Sequence, residues 1–269
     1  MIRSAVVAGQ FYPAQARELR TDVEGYIEDA RLPAVAAGAL CRGLIVPHAG
    51  YTYSGPVAGE GYACLAGLDK SVHTTVVILA PSHHVWFEGA ALPEADVFRT
   101  PLGDTSVSKA ARLLAGGPSV FRSGQAHAME HAVEVQLPFL QVALKDFSII
   151  PLVLGDVDTD TLAQEILALN LPHTLVVASS DLSHYDPYDV AMEHDRATIE
   201  HILKGEGDRL SGNDACGFVP IRTILAIARV CDWKAYLLDY RNSGDTAGDK
   251  SAVVGYASIG FWEDKHEHE

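Results

Sequence analysis

The chain has 269 residues, 48% hydrophobic and 20% charged, which is enough apolar content for a sizeable core and excludes disorder for most of it. Acidic residues number 35 against 20 Lys and Arg, a formal net charge of −15. Nucleic acids and anionic membranes are themselves polyanions, so such a surface argues against general affinity for either.

The four cysteines, Cys41, Cys64, Cys216 and Cys231, stand far apart without a C-x-x-C pair. That is neither a disulfide framework nor a structural zinc site, and it fits a reducing cytosol. The start, Met1-Ile2-Arg3-Ser4, lacks an apolar signal core, and no run approaches the roughly 18 apolar residues of a membrane span. A cytoplasmic protein is expected.

An amphipathic pattern predicts a helix over 14–30. The apolar run 44–46 then predicts a strand leading into Pro47-His48-Ala49-Gly50-Tyr51. A second strand, 76–79, leads into Ala80-Pro81-Ser82-His83-His84. Helices are expected over 107–114 and 130–144, the latter accommodating Pro138, before a strand at 149–154 that ends on Gly155-Asp156. After a helix over 161–169, the strand 175–177 leads into Ala178-Ser179-Ser180-Asp181-Leu182-Ser183-His184. Helices over 190–203 and 218–230, a strand at 236–238 running into Asp239–Asp245, and a last strand over 253–261 complete the series. The first five runs lack strict alternation, so they read as strands buried on both faces. Alternating strands and helices predict an α/β fold, one domain over residues 1–262 with a mostly parallel or mixed sheet covered by helices on both faces. Residues 263–269 read as a solvated, charged tail.

Ligands in such sheets bind beyond the carboxyl ends of the strands, where most of these histidines and acids fall. A lone histidine such as His48 is most often a satisfied core residue. His83 and His84 change the balance, because imidazoles from two strand ends can converge on iron, copper or zinc. Adjacent histidines on an extended loop diverge, so one of that pair is the expected ligand. In Glu130-His131-Ala132-Val133-Glu134 a helix would put both glutamates on one face, with ordinary N-terminal capping as the plain alternative. Asp181 and His184 suit a carboxylate that orients an acid/base histidine. No G-x-G-x-x-G, P-loop, G-x-S-x-G or H-E-x-x-H is present, and no motif marks Cys216 as a nucleophile. Histidine-centred, metal-assisted chemistry is what remains.

With these residues assembled, the chain resembles the Memo-like family. The matching segments are Val46-Pro47-His48-Ala49-Gly50-Tyr51-Thr52-Tyr53-Ser54-Gly55, Pro81-Ser82-His83-His84, Phe98-Arg99-Thr100-Pro101-Leu102-Gly103, Glu130-His131-Ala132-Val133-Glu134-Val135-Gln136-Leu137-Pro138-Phe139 and Ser179-Ser180-Asp181-Leu182-Ser183-His184. They lie in order between Ala8-Gly9-Gln10-Phe11-Tyr12-Pro13 and Val254-Gly255-Tyr256-Ala257. That family resembles in fold the class III extradiol ring-cleavage dioxygenases, which hold non-haem iron(II) with two histidines and a carboxylate.

The resemblance implies His48 and His83 as metal ligands, with His131 and His184 lining the pocket and His184 as acid/base. Animal members carry a cysteine in the loop after the late strand, where counting from Tyr240 puts Thr246 in this chain. Asp245 beside it is therefore the expected third ligand, with Asp249 as a weaker substitute. The implied cofactor is iron(II), with copper or zinc as alternatives, and the implied partners are radical-SAM and AMMECR-type proteins of the AmmeMemoRadiSam system. Two function classes follow: a metal-dependent, dioxygenase-like oxidoreductase acting on a small organic substrate, or a protein that binds a peptide or partner in a vestigial cleft.

Overall fold

A computed structural model describes residues 1–31, 39–246 and 248–263. The apolar runs form a nine-stranded sheet, built in chain order from β2 (Leu40–Val46), β3 (Thr74–Pro81), β4 (Ala90–Leu92), β7 (Val120–Arg122), β8 (Phe147–Leu154), β9 (Thr174–Ser179), β10 (His184–Asp186), β11 (Lys234–Asn242) and β12 (Val253–Glu263). A separate three-stranded sheet joins β1 (Ile2–Arg3), β5 (Val97–Thr100) and β6 (Gly103–Ser106). In the main sheet β2, β9, β3 and β8 lie side by side and parallel, while β12 runs antiparallel along β2.

Side chains alternate through these strands, as a period of two requires. Val76 and Ile78 of β3 join one core cluster while Val77 and Leu79 join the other, and Leu44 and Ile45 of β2 divide the same way. One face is covered by α1 (Ala16–Glu28), α2 (Tyr51–Ala63) and α5 (Leu137–Ala143). The other is covered by α6 (Thr159–Ala168), α7 (Tyr188–Leu203) and α8 (Phe218–Cys231), with the short α3 (Ala111–Leu114) beside them. Two further short helices are α4 (Gly124–Ala128) and α9 (Ser243–Thr246). This single-domain mixed α/β architecture is the one the sequence predicts. Among the described residues no helix is long and apolar enough to cross a membrane.

Four expectations are corrected. The segment Tyr51–Ala63, where the sequence predicts no element, is a helix buried on nearly all sides. Its glycines serve close approach, since a Cβ on Gly59 would run into the Tyr26 carbonyl of α1. The predicted helix over 130–144 begins only with a 3-10 turn at Glu134–Gln136, followed by α5, where Pro138 falls in the first turn and its missing N–H costs no hydrogen bond. The helix expected from 107 starts at Ala111, because Val107 bridges to Ile149 and the Ser108 N–H donates to the Ile149 carbonyl. Lastly, β11 is half exposed rather than buried on both faces, being paired only with β12.

The predicted tail lies outside the described residues apart from Glu263, which ends β12 and accepts from the Arg42 guanidinium at 2.6 Å.

Candidate metal centre

Parallel packing of β2, β3 and β9 brings three strand ends to one edge of the sheet. His48 follows β2, His83 follows β3, and Asp181 follows β9. His48 is buried, and its backbone N–H donates to Asp181 Oδ1 at 2.8 Å. Its Nδ1 lies 2.9 Å from Ser179 Oγ. That hydroxyl spends its own proton on the Ala132 carbonyl (2.8 Å) and accepts from the Gln136 amide (2.8 Å). Ser179 is therefore an acceptor for His48, Nδ1 carries the proton, and Nε2 is the unprotonated nitrogen that can act as a ligand. Gln136 is itself fixed, donating to the Pro47 carbonyl at 3.0 Å and accepting from Tyr62 at 2.9 Å.

The second imidazole is oriented by a carboxylate. Glu130 accepts from His83 Nδ1 (2.9 Å) and from the His83 backbone N–H (2.8 Å), and it also holds the Ala132 N–H at 2.9 Å. Burial alone would raise the Glu130 pKa, but the His83 hydrogen bond and charge, with those N–H groups, take it down to about 2. Three donors thus occupy this carboxylate as an orienting group, leaving His83 Nε2 outward. A carboxylate–histidine pair is the usual support of a metal-ligating imidazole.

The third group is Cys216, whose Sγ lies 3.3 Å from His48 Nε2. One donor atom from each of His48, His83 and Cys216 falls within 4.8 Å of the others. Metal–nitrogen and metal–sulfur bonds of about 2.0–2.3 Å would bridge such atoms with a small inward closure, so these residues can hold a metal ion. The chemistry of the pair points the same way. Burial, then His83, pushes His48 down to about 3, while burial, then Asp181, pushes the Cys216 thiol up to about 12. A thiolate–imidazolium dyad is therefore disfavoured. A metal cation bound there would displace the thiol proton.

Around this centre, the His131 ring stacks on His83 at 4.8 Å and stands edge-on to His48 at 5.4 Å. Burial, then His48, holds His131 down to about 4, so it is neutral at physiological pH. Asp181 is buried, which raises its pKa despite the hydrogen bond from His48. A cleft of about 700 Å³ opens beside His83 and Cys216, with His84 and Trp86 on its wall.

A family model described as Memo-like protein matches residues 3–260. The MEMO1 family protein of Sulfolobus acidocaldarius is 38% identical over 292 aligned positions, spanning 97% of this chain and 99% of that protein. The chain belongs to the Memo-like family. MEMO1 family proteins of Methanosarcina mazei (37%, covering 96% and 98%) and Methanopyrus kandleri (38%, covering 97% and 99%) are similar over the same extent.

Within this family member the third position departs from the sequence expectation. Asp245 is not brought to His48 and His83. Its Oδ1 accepts from Tyr188 (2.7 Å) and its Oδ2 from the Asn242 N–H (2.9 Å), so the carboxylate closes the turn after β11. Thr246 donates to the Ser243 carbonyl at 3.4 Å, and Asp249 caps Ser251. Asp245→Asn is accordingly expected to leave metal affinity unchanged and to lower stability by at most about 1 kcal/mol. Metal titration and urea unfolding of the same preparation check both halves.

Glu130 and Glu134 also part company. Without a helix through residues 130–133 they share no face: Glu130 turns to His83, and Glu134 to Arg3. His184 is exposed on β10, close enough to bear electrostatically on His48 and Asp181. The residues that sequence reasoning missed are Cys216, Glu130 in its orienting role, and the Ser179–Gln136 relay. Cys216 stands just before α8 in Ala215-Cys216-Gly217, where no sequence motif marks it.

Proposed function

We propose that the chain is a metal-dependent oxidoreductase whose His48, His83 and Cys216 hold iron(II) or copper. The convergence of these three donors at the sheet edge, next to a cleft of about 700 Å³, carries this reading. A carboxylate in third place would favour iron(II). A thiolate shifts the preference towards copper(I) or zinc, so the donor set raises copper relative to the sequence expectation. Bound there, such a metal supplies electron transfer between a small organic substrate and O2. The protein's part is orientation and proton handling. Glu130 and Ser179 fix the two imidazoles, Asp181 secures the His48 backbone, and exposed His184 exchanges a proton between the site and solvent.

A peptide-holding cleft is the weaker reading, and for a phosphorylated peptide the charge decides against it. Asp156, Asp158, Asp160 and Asp208 line the cleft, whereas its Arg222 guanidinium is engaged by the carbonyls of Gly207, Asp208 and Leu210. An anionic ligand would be repelled there.

Elemental analysis of protein purified without air, followed by titration with copper(I), iron(II) and zinc, tests the proposal. Copper or iron at about one per chain, with electron transfer to O2, is the expected result. Zinc supporting hydrolysis would replace the oxidoreductase reading with a hydrolase. His48→Ala and His83→Ala are each expected to weaken binding by more than about 10-fold, a little over 1.4 kcal/mol. His84→Ala is expected to change it little, since the His84 ring stands 6.4 Å from His131, against 4.8 Å for His83, and offers no donor atom close to those of His48 and Cys216. Loss of the metal in His84→Ala alone would overturn the choice of His83.

A further inference from the structure

Two successive residues of α7 reach towards segments that carry the site. Asp195 is fully buried, accepting from the Ser183 N–H at 2.9 Å and from Tyr240 at 2.8 Å, and so fixes the chain between Asp181 and His184. His194 points elsewhere, with each ring nitrogen towards a carboxylate. Its Nε2 lies 2.9 Å from Asp214 Oδ1, and its Nδ1 lies 3.4 Å from Asp186 Oδ2. Asp186 ends the strand that begins with His184, and Asp214 stands two residues before Cys216.

The Asp214 contact is the stronger of the two by distance. It also has leverage on the thiol. The other Asp214 oxygen accepts from the Ser211 N–H (2.8 Å) and hydroxyl (2.7 Å), and the Asp214 and Ala215 N–H groups return to the Ser211 carbonyl. The turn over residues 211–215 is thus closed on itself, and His194 holds it from outside through Asp214. On its far side Gly217 is gripped through its N–H by Ser180 Oγ at 2.9 Å. Cys216 hangs between these two holds. The His194 side chain is about 29% exposed and that of Asp214 25%, so the pair contributes little to global stability. A displacement of a fraction of an ångström is nevertheless large for a ligand atom.

We infer that His194 is a positioning residue that, through Asp214, holds Cys216 in place over the His48–His83 pair. This rests on the metal-centre reading above. The flanking acids raise the His194 pKa, the Asp214 hydrogen bond contributing most against the cost of desolvation.

Amide side chains separate the two contacts. Glutamine places an N–H near the position of Nε2 and can keep the Asp214 bond, whereas asparagine reaches only the position of Nδ1 and keeps Asp186. Cobalt(II) is the probe, because a cobalt–thiolate bond adds a near-ultraviolet charge-transfer band that imidazole ligands do not. His194→Asn is expected to bind cobalt(II) about 10-fold more weakly than wild type and to lose most of that band per bound ion. His194→Gln is expected to stay close to wild type in both readouts, with urea midpoints of the two variants alike. Equal behaviour of the two variants overturns the positioning role. A wild-type protein that binds cobalt(II) without the thiolate band, or a band that survives in Cys216→Ala, overturns the metal-centre reading itself.

Discussion

Cys216→Ala is expected to lower metal affinity by more than about 100-fold, because groups one step further out already cost about 10–100-fold. The substitution removes the one donor that brings a full negative charge. It also leaves little behind to destabilise the fold, since the thiol's contacts include long bonds only, 3.4 Å from the Asp181 N–H and 3.7 Å to the Asp181 carbonyl, besides the approach to His48. The pH dependence separates loss of a ligand from general damage. In wild type the thiol, pushed up to about 12, is protonated before the metal arrives, so its proton must leave on binding. His48 at about 3 and His131 at about 4 are already neutral and contribute no slope at neutral pH. His83, where burial is overcome by Glu130, titrates above the ordinary histidine value and adds competition until it is deprotonated. Above that point, affinity should rise about tenfold per pH unit in wild type and become flat in Cys216→Ala. Competition titrations against a chromophoric chelator from neutral to alkaline pH read this directly. Parallel slopes in the two proteins would remove Cys216 from the coordination.

The same residue marks where sequence reading stopped. The buried strands were legible because their apolar runs need no partner to be recognised, and β2, β3, β8 and β9 extend the predicted runs by a few residues at most. The histidines His48 and His83 were legible because each stands directly at a strand end. Cys216 was not, since its closest polar partner at the site is 168 residues away and only the folded sheet edge unites them. Counting from Tyr240 pointed to the turn at Asp245 instead, where a carboxylate next to a glycine serves backbone hydrogen bonding as well as it would serve a metal. The helix α2 escaped for a different reason. Its glycines lower helix propensity by about 1 kcal/mol each, and what offsets that is close packing against Tyr26 and Val46, which no local pattern encodes. Glu130 and Glu134 looked like one helical face because i and i+4 spacing carries no information about whether the helix has begun.

Glu134→Gln is expected to cost about 3–5 kcal/mol, the usual penalty for breaking a buried ion pair from one side. Glu134 has no exposed surface, and its carboxylate gathers the Arg3 guanidinium, the N–H groups of Val6 and Val7, and the Tyr12 hydroxyl at 2.6 Å. One carboxylate therefore pins the first dozen residues to the segment that precedes α5. A neutral amide still accepts from the backbone and the tyrosine, but it leaves the nearly buried Arg3 charge uncompensated. Arg3→Met in the same chain removes that charge, so the double variant should be more stable than the sum of the single losses, with a coupling of about 1–3 kcal/mol. Urea unfolding at constant m-value measures all four corners of the cycle. The effect should also reach the metal centre. Arg3 donates to the Glu130 carbonyl at 2.6 Å, and the carboxylate of that same residue orients His83. Arg3→Met alone is therefore expected to weaken metal binding by up to about 10-fold, under conditions where the variant is fully folded. Additive stabilities would mean that Glu134 acts on the backbone N–H groups and not on Arg3. Unchanged metal affinity in Arg3→Met would mean that Glu130 is held well enough by His83 and Ala132 without the arginine.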